Sequence, residues 1–400
     1  MPFPSIPHPF ESDETPPELG PRLLFFTGGT ALRGLSRELI DHTHNSVHLV
    51  TPFDSGGSSA MLRSCIAMPA VGDLRNRLLA LADRRVVPSS VLDICNMRLP
   101  RDGDRQALLQ TLYGMASARD AVWRGVPRVF GEALRVHLRY FLEQMPEAFD
   151  PRGASLGNLI MAGGFLHHGR RLEPVLLFLS RLLRVRGVVL PTVHEDLHLM
   201  AELADGSVIV GQHRITGKDA PAIASPIRRL AITRRLPAAG AETVEEYRSP
   251  LSPLAATYIA TADLICYPMG SFWTSVVANL LPVGVGGCVA QADCPKVYIP
   301  NVGDDPEQLG MSVAAAVAVL LATLRRDAGS DAPASQLLQS VLVDTRSGEY
   351  RGGLDAEGIR AQGVTIIDRP LIDDGASAHA PKLVAQALFE LAARKDDGMA

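Results

Sequence analysis

Three stretches rich in glycine, serine and threonine each follow a short apolar run and precede a helical pattern. They lie at residues 27–30, 54–59 and 268–275. Glycine lets the backbone approach phosphate oxygens, hydroxyl groups add donors, and the free N–H groups at a helix start favour an anion. The sequence therefore predicts that these turns hold a phosphate-bearing ligand. The residues expected to bind it are Gly28, Gly29, Thr30, Gly56, Gly57, Ser58, Gly270, Ser271 and Thr274.

A fourth polar stretch, Gly72-Asp73-Leu74-Arg75-Asn76-Arg77, opens another helical pattern. Asp73 could simply cap that helix, and Arg75 and Asn76 could simply be solvated. A cap needs only one residue, however, and this turn offers four polar groups, which favours a functional role. We expect Asp73 and Arg75 to take part in chemistry and Asn76 to contact the ligand.

Two common phosphate-binding motifs do not fit these turns. No Gly-Lys-Ser/Thr is present, which excludes a P-loop. Asp54 lies 26 residues after Gly28, near the position of a ribose-binding acid, but the glycines are Gly28, Gly29 and Gly34. That spacing departs from the G-x-G-x-x-G fingerprint, so a nicotinamide site is disfavoured.

The segment His194-Glu195-Asp196-Leu197-His198 matches the H-E-x-x-H string of zinc proteases. That chemistry needs a helix, on which positions four apart share a face and reach one metal. Here the segment follows Pro191 and runs into an alternating apolar pattern, which predicts a strand. On a strand the two histidines would lie roughly 13 Å apart, too far for one zinc ion.

The order of elements around the turns is strand, glycine-rich turn, helix, strand, which predicts a parallel sheet. We expect an α/β fold, a Rossmann-like three-layer sandwich with a mostly parallel sheet. A helical insertion is expected at about 104–146, and a β-hairpin at Asp205-Gly206. In such a sheet the turns share the carboxyl edge, where ligands bind. Residues 1–20 are expected to be a disordered leader and residues 21–400 a single domain.

Composition narrows the class of protein. The apolar share is 46% and the charged share 20%, which is typical of a globular chain. A net charge of −4 gives no electrostatic footprint for nucleic acid or an acidic membrane surface. No apolar run reaches the roughly 18 residues of a membrane span, and no secretion signal precedes the first strand. The five cysteines are scattered without a C-x-x-C pair, so we expect a cytoplasmic protein.

The motifs, taken in order, resemble one known family. They are Thr27-Gly28-Gly29-Thr30, Asp54-Ser55-Gly56-Gly57-Ser58-Ser59, Gly72-Asp73-Leu74-Arg75-Asn76, Ser155-Leu156-Gly157-Asn158, Leu199 to Gly206, and Gly270-Ser271. This series resembles the family of the 2-phospho-L-lactate transferase CofD and the YvcK-like gluconeogenesis factors, over about residues 22–390. The residues within these motifs are more similar to those of the YvcK-like branch.

The resemblance implies a nucleotide-diphosphate-linked ligand at the carboxyl edge of the sheet. In the transferase branch a phospho-acyl group of the 2-phospholactyl type leaves a guanylyl carrier for a deazaflavin hydroxyl, with Mg²⁺. In the YvcK-like branch a UDP-sugar is bound and the protein regulates carbon or cell-wall metabolism. The resemblance places Asp54 at the acceptor or the metal, and Asn158 beside Asp73 and Arg75 in the cleft. It also implies a homodimer.

This chain departs from the family pattern at informative positions. Ser55 stands where a second Asp is usual, which puts two-metal or two-carboxylate chemistry in doubt. Pro268-Met269-Gly270-Ser271 replaces Gly-Pro-Gly-Ser, and Pro268 has no N–H to donate. Three functions stay open at this point: a transferase, a nucleotide-sugar-binding regulator without turnover, and a scaffold with a vestigial cleft.

Overall fold

The computed structural model describes residues 16–217, 221–236 and 244–393. The leader expected at 1–20 lies mostly outside the described residues. Its described end forms a short 3-10 turn at Pro17–Leu19.

A seven-stranded sheet forms the centre of the chain, and every strand pair in it is parallel. Its order is β10-β9-β8-β7-β1-β2-β3, and a smaller antiparallel sheet has the order β5-β4-β6. This confirms the predicted α/β fold. The strands are β1 (Leu23–Thr27), β2 (Val47–Val50), β3 (Val188–Pro191), β4 (His198–Leu203), β5 (Val208–Val210), β6 (Ile227–Thr233), β7 (Leu264–Tyr267), β8 (Lys296–Tyr298), β9 (Ser340–Val343) and β10 (Thr365–Asp368).

Helices cover both faces of the large sheet. They are α1 (Arg33–Leu39), α2 (Gly57–Ile66), α3 (Gly72–Ala80), α4 (Ser89–Asn96), α5 (Arg105–Met115), α6 (Arg128–Gln144), α7 (Leu156–His167), α8 (Glu173–Leu182), α9 (Gln212–Ile215), α10 (Pro253–Ala260), α11 (Ala278–Leu280), α12 (Val285–Gln291), α13 (Val313–Ala328), α14 (Ala334–Leu337), α15 (Ala356–Ala361) and α16 (Pro381–Ala393).

The central strand β1 shows why the sandwich has three layers. All five of its residues are buried, as expected for a strand covered on both faces. Leu23 and Phe25 pack with α1 and α16, whereas Leu24 and Phe26 pack with α10, α12 and α13. Successive side chains of a strand point to opposite faces, so this alternation places the two helical layers on opposite sides of the sheet.

The predicted helical insertion is present as α5 and α6, with a 3-10 turn at Ala121–Trp123 between them. Helix α6 packs closely on α7 because Gly163 has no side chain. A Cβ at that position would lie 1.8 Å from the carbonyl oxygen of His137. The insertion therefore joins the main body through α7, the helix that carries Asn158.

The predicted hairpin is also present. Strands β4 and β5 pair antiparallel around Asp205-Gly206, with Gly206 at a φ of +86°. The sequence did not predict β6, which pairs with the other edge of β4. Leu199, Ala201 and Leu203 alternate into the main core, so the small sheet is anchored to the large one.

Two helices begin differently from what their sequence pattern predicts. The pattern predicts one helix over 306–326, but α13 starts only at Val313, where Ser312 caps it, and Pro306–Gln308 forms a separate 3-10 turn. The pattern predicts another helix over 272–282, which starts as a π-helix, Phe272–Val277, before α11. No helix in the described ranges is long and apolar enough to cross a membrane.

Candidate functional site

The strand order places a crevice at the centre of the sheet. On one side of β1 the sheet continues with β2 and then β3. On the other side β1 pairs with β7, which begins the second half of the sheet. The turns that follow β1 and β7 therefore diverge at the carboxyl edge. Open α/β sheets bind ligands at this kind of switch point.

A cleft of about 350 Å³ opens at this edge, and a smaller pocket of about 80 Å³ adjoins it. The two share Gly29, Thr30, Ser271 and Ser275. Residues from all four predicted polar stretches converge here. The cleft is lined by the predicted residues Gly29, Thr30, Asp54, Gly56, Gly57, Ser58, Asp73, Arg75, Asn76, Asn158 and Ser271, and the adjoining pocket by Gly28 and Gly270.

The buried guanidinium of Arg77 fixes the turn after β1 by hydrogen bonds. Arg77 donates to the hydroxyl of Thr27 at 2.9 Å, to the carbonyl of Gly28 at 3.1 Å and to the hydroxyl of Ser36. Burial lowers the pKa of Arg77 to about 10, so the side chain stays charged at neutral pH. The N–H groups of Gly28, Gly29 and Thr30 have no acceptor among the described residues. The turn thus offers donors to a ligand.

The two glycines of this turn have different surroundings. A Cβ on Gly28 would lie 2.4 Å from the hydroxyl oxygen of Ser275, so no larger residue fits without movement. A Cβ on Gly29 would meet no atom within 4 Å. Gly28 is therefore a close-packing position, and Gly29 is open to the cleft.

The carboxylate of Asp54 is fixed within its own loop. One oxygen accepts a hydrogen bond from the Ser59 hydroxyl at 2.7 Å, and the other accepts one from the N–H of Gly56 at 3.0 Å. Buried Arg63 holds the loop from behind, donating to the Asp54 carbonyl at 3.1 Å and to Asp196 at 2.7 Å. Asp54 is thus presented to the cleft in a fixed orientation.

The donor set around Asp54 suits Mg²⁺ better than zinc. No group of three or more histidine, cysteine or acidic side chains in the described part of the chain is placed to hold a metal. Mg²⁺ is commonly bound by one or two carboxylates together with ligand phosphates and water. Asp54 and Asp73, which both line the cleft, fit that pattern.

Arg75 links α3 to the start of α7 at the cleft. It donates to the Ser155 hydroxyl, to Oδ1 of Asn158 at 2.7 Å and to Oδ1 of Asn76 at 2.9 Å. Asn158 in turn donates to the Ser58 hydroxyl at 2.9 Å. Burial lowers the pKa of Arg75 to about 10, which leaves it charged at neutral pH. The site therefore holds a fixed, partly desolvated cation.

The turn after β7 differs from the expectation. The N–H groups of Gly270, Phe272 and Thr274 donate to Asn301, Asp305 and Glu307 at 2.8, 2.9 and 2.8 Å, respectively. Side chains of the protein thus occupy the positions that a bound phosphate would take. Thr274 is fully buried and outside the cleft, and the N–H of Gly270 is already bonded. Of the three residues expected here, only Ser271 lines both cavities.

Several lining residues were not among those that the sequence predicted to bind the ligand. Two are arginines that follow α4, and others come from the segment around α9. With Arg75 and the two aspartates, they give the cleft three guanidinium groups against two carboxylates, in a chain whose net charge is −4. These additional residues are Ser59, Gly72, Arg98, Arg101, Gln212, His213, Thr216 and Ser275.

The H-E-x-x-H string has a structural role. His194 lies in a loop instead of the expected strand, which starts only at His198. Glu195 accepts hydrogen bonds from the Tyr247 hydroxyl at 3.1 Å and from the Ser249 hydroxyl at 2.8 Å. The helix that the zinc chemistry requires is not formed there.

With this geometry established, comparison with known proteins assigns the family. The model of the family described as 2-phospho-L-lactate transferase CofD matches residues 23–372. The chain belongs to the CofD family. The match spans both halves of the sheet and all four polar stretches, which confirms the resemblance seen in the motifs.

Relatives of this CofD-family chain include proteins named gluconeogenesis factor. The one from Bacillus subtilis is 31% identical over 292 residues, covering 72% of this chain and 69% of that protein. The one from Listeria monocytogenes is 25% identical, covering 94% and 96%. A crystal structure of a UPF0052 family member from Bacillus halodurans has a TM-score of 0.66 at 23% identity, covering 92% of this chain and 99% of that one. It has the same fold.

Proposed function

We propose that this chain binds a nucleotide-diphosphate-linked small molecule in the cleft and transfers a phospho-acyl group of the 2-phospholactyl type from it to an acceptor hydroxyl, such as that of a deazaflavin. The observation that carries the proposal is the convergence of donors. The unbonded amides of Gly29 and Thr30, the turn at 56–58 and the buried cation Arg75 line the cleft, and Gly28 lines the pocket that adjoins it. A diphosphate is the ligand that such a donor set suits.

Each group has a defined part in the proposed reaction. The acceptor hydroxyl attacks the phosphorus of the phospho-acyl group, and a new O–P bond forms. The bond between that phosphorus and the bridging oxygen of the diphosphate breaks, and nucleotide monophosphate leaves. The turn amides and Arg75 stabilise the charge that develops on the phosphoryl oxygens. Asp54 accepts the hydroxyl proton or holds Mg²⁺, which would neutralise phosphate charge when bound.

A second function has specific support. A regulator that binds a nucleotide sugar without turnover needs the amide turns but no general base. Both oxygens of Asp54 already accept hydrogen bonds, and Ser55 supplies no second carboxylate. The similarity to proteins named gluconeogenesis factor points in the same direction.

A thermal-shift panel tests the shared part of both functions. UDP- and GDP-linked compounds, with and without Mg²⁺, should raise the melting temperature because ligand binding stabilises the folded state by mass action. If no nucleotide shifts the melting temperature, both functions are contradicted, and the scaffold with a vestigial cleft is the function that remains. A size measurement by light scattering on the same samples tests the homodimer that we also propose.

Turnover then separates the two functions. Incubation with nucleotide-linked phospho-acyl donors and a deazaflavin acceptor should release nucleotide monophosphate from the wild-type chain. Asp54→Asn should reduce this release at least tenfold, while Asp93→Asn, at an exposed position of α4, should not change it. Unaltered transfer by Asp54→Asn would contradict the role of Asp54, and binding without release would select the regulator.

A further inference from the structure

A serine–histidine pair lies at the edge of the cleft, and neither proposed function uses it. The hydroxyl oxygen of Ser55 lies 2.8 Å from Nδ1 of His213 and also accepts a hydrogen bond from the backbone N–H of His213 at 3.3 Å. His213 belongs to α9 and lines the cleft, whereas Ser55 is buried behind it. The pair joins the loop after β2 to the segment after β5.

The hydrogen bonds favour one tautomer of the His213 ring. The Ser55 hydroxyl carries a single proton and already accepts from the backbone N–H. If it donates that proton to Nδ1, every group of the pair is satisfied. Nδ1 is then an acceptor, and the neutral ring carries its proton on Nε2.

Packing fixes the direction of the ring. Gly211 has a φ of +101°, and a Cβ there would lie 3.1 Å from Cε1 of His213, 3.2 Å from its Nδ1 and 3.4 Å from the Ser55 hydroxyl. The edge formed by Cε1 and Nδ1 is therefore covered by Gly211 and Ser55. These contacts leave Nε2, the next atom of the ring, uncovered, and His213 lines the cleft.

The pair lies next to an amide turn. Ser55 directly precedes Gly56, Gly57 and Ser58, which all line the cleft, and a Cβ on Gly57 would meet no atom within 4 Å. An anion seated on that open turn is therefore beside His213. We propose that Nε2 of His213 donates a hydrogen bond to a phosphate oxygen of the bound diphosphate, and that Ser55 is the positioning residue that keeps the proton on Nε2. This inference rests on the proposed diphosphate ligand.

Substitutions at position 213 test the contact through binding affinity. The probes are UDP-glucose and GDP-mannose, measured by isothermal titration calorimetry. His213→Ala should weaken the better probe about tenfold or more, as expected for a lost hydrogen bond to a charged group. His213→Gln, whose terminal amide can place a donor near the same position, should stay within about threefold of wild type. Arg214→Ala, at an exposed position of the same helix, serves as the matched control and should not change affinity.

A second measurement reports on the ring without any ligand. Nitrogen-15 spectra of the histidine rings should show His213 protonated on Nε2 in the wild type, and a mixture of tautomers in Ser55→Ala. Protonation on Nδ1 in the wild type would overturn the proposal. So would equal affinity of wild type and His213→Ala, and in that case nucleotide binding by both would leave the proposed function standing. If the wild type binds neither these probes nor any nucleotide of the thermal-shift panel, both proposals fall.

Discussion

Thr274 donates from its backbone N–H and from its hydroxyl to the same carboxylate, that of Glu307, at 2.8 and 2.6 Å. Glu307 is almost fully buried, and it lies in the loop that follows β8. The protein thus places its own carboxyl group where the third phosphate-binding turn was expected. Under the proposed function, the ligand binds at the turns after β1 and β2.

Glu307 should make stability depend on pH. Burial, together with the nearby Asp305, raises the pKa of Glu307 to about 7 from its usual 4.5. The folded state therefore binds a proton that the unfolded state has lost between these values. This contribution to stability is fully present below about pH 4.5 and is lost as the pH rises through about 7.

Urea unfolding of the wild type and Glu307→Gln at pH 5 and pH 8 measures this effect. The wild type should lose more stability over that interval than the variant, by up to about 3 kcal/mol for a shift of this size. Glu357→Gln, at an exposed position of α15, should behave like the wild type. Equal losses in the wild type and Glu307→Gln would show that Glu307 does not titrate in this range.

Arg77 should support both the fold and the turn after β1, at which the proposed ligand binds. Arg77→Met removes the donors to Thr27, Ser36 and the Gly28 carbonyl. The two buried hydroxyl oxygens lose a donor, whereas the Gly28 carbonyl keeps its hydrogen bond from the Thr27 hydroxyl. We expect a loss of about 2–4 kcal/mol in the free energy of unfolding. Nucleotide affinity should fall as well, because the turn loses its support.

Arg77→Lys tests whether charge alone is sufficient. Lysine keeps the positive charge but not the planar fork that reaches several acceptors at once. Its stability should lie between those of wild type and Arg77→Met. Full stability in the lysine variant would mean that the fork geometry is unimportant.

Gly28 and Gly29 should separate folding from binding. Gly28→Ala places a methyl group 2.4 Å from the Ser275 hydroxyl oxygen and should destabilise the fold by about 1–3 kcal/mol. Gly29→Ala meets no atom, so its melting temperature should match the wild type while its nucleotide affinity falls. Thermal melts and calorimetric titration of both variants check this, and a stable Gly29→Ala with full affinity would place the ligand elsewhere.

The H-E-x-x-H string should prove structural. Zinc should not stabilise the wild type more than His194→Ala, because His194 and His198 do not share a helix. Glu195→Ala should instead lower the melting temperature by a few degrees, since Tyr247 and Ser249 lose their acceptor. A zinc-dependent rise in melting temperature that requires both histidines would contradict this assignment.

The parts of the site that could be predicted from the sequence are those set by local chemistry. A glycine-rich turn directly after a buried strand, such as Thr27 to Thr30, must lie at the carboxyl edge of a parallel sheet. The roles of the two arginines in α3 are harder to predict. Arg75 and Arg77 are two positions apart, which is roughly 200° around a helix. One therefore lines the cleft and the other lies beneath the turn.

The parts that could not be predicted depend on contacts between distant segments. Glu307 is 33 residues from Thr274, and His213 is 158 residues from Ser55. No periodicity or spacing links such pairs, because the fold alone brings them together. The sequence predicted Gly270 and Thr274 as phosphate ligands because it does not show their distant partners. Asn301 and Glu307 accept the hydrogen bonds of these two amides.

His213, Gln212 and Thr216 reach the cleft from the chain between β3 and α10, outside the seven-strand frame. That stretch is an appendage whose inner face is rooted in the core through Leu199 and Leu203. Under the proposed function, exchanging its cleft-lining residues would therefore change which ligand the cleft accepts while leaving the parallel strands untouched. Ligand selectivity and folding would then depend on separate parts of this chain.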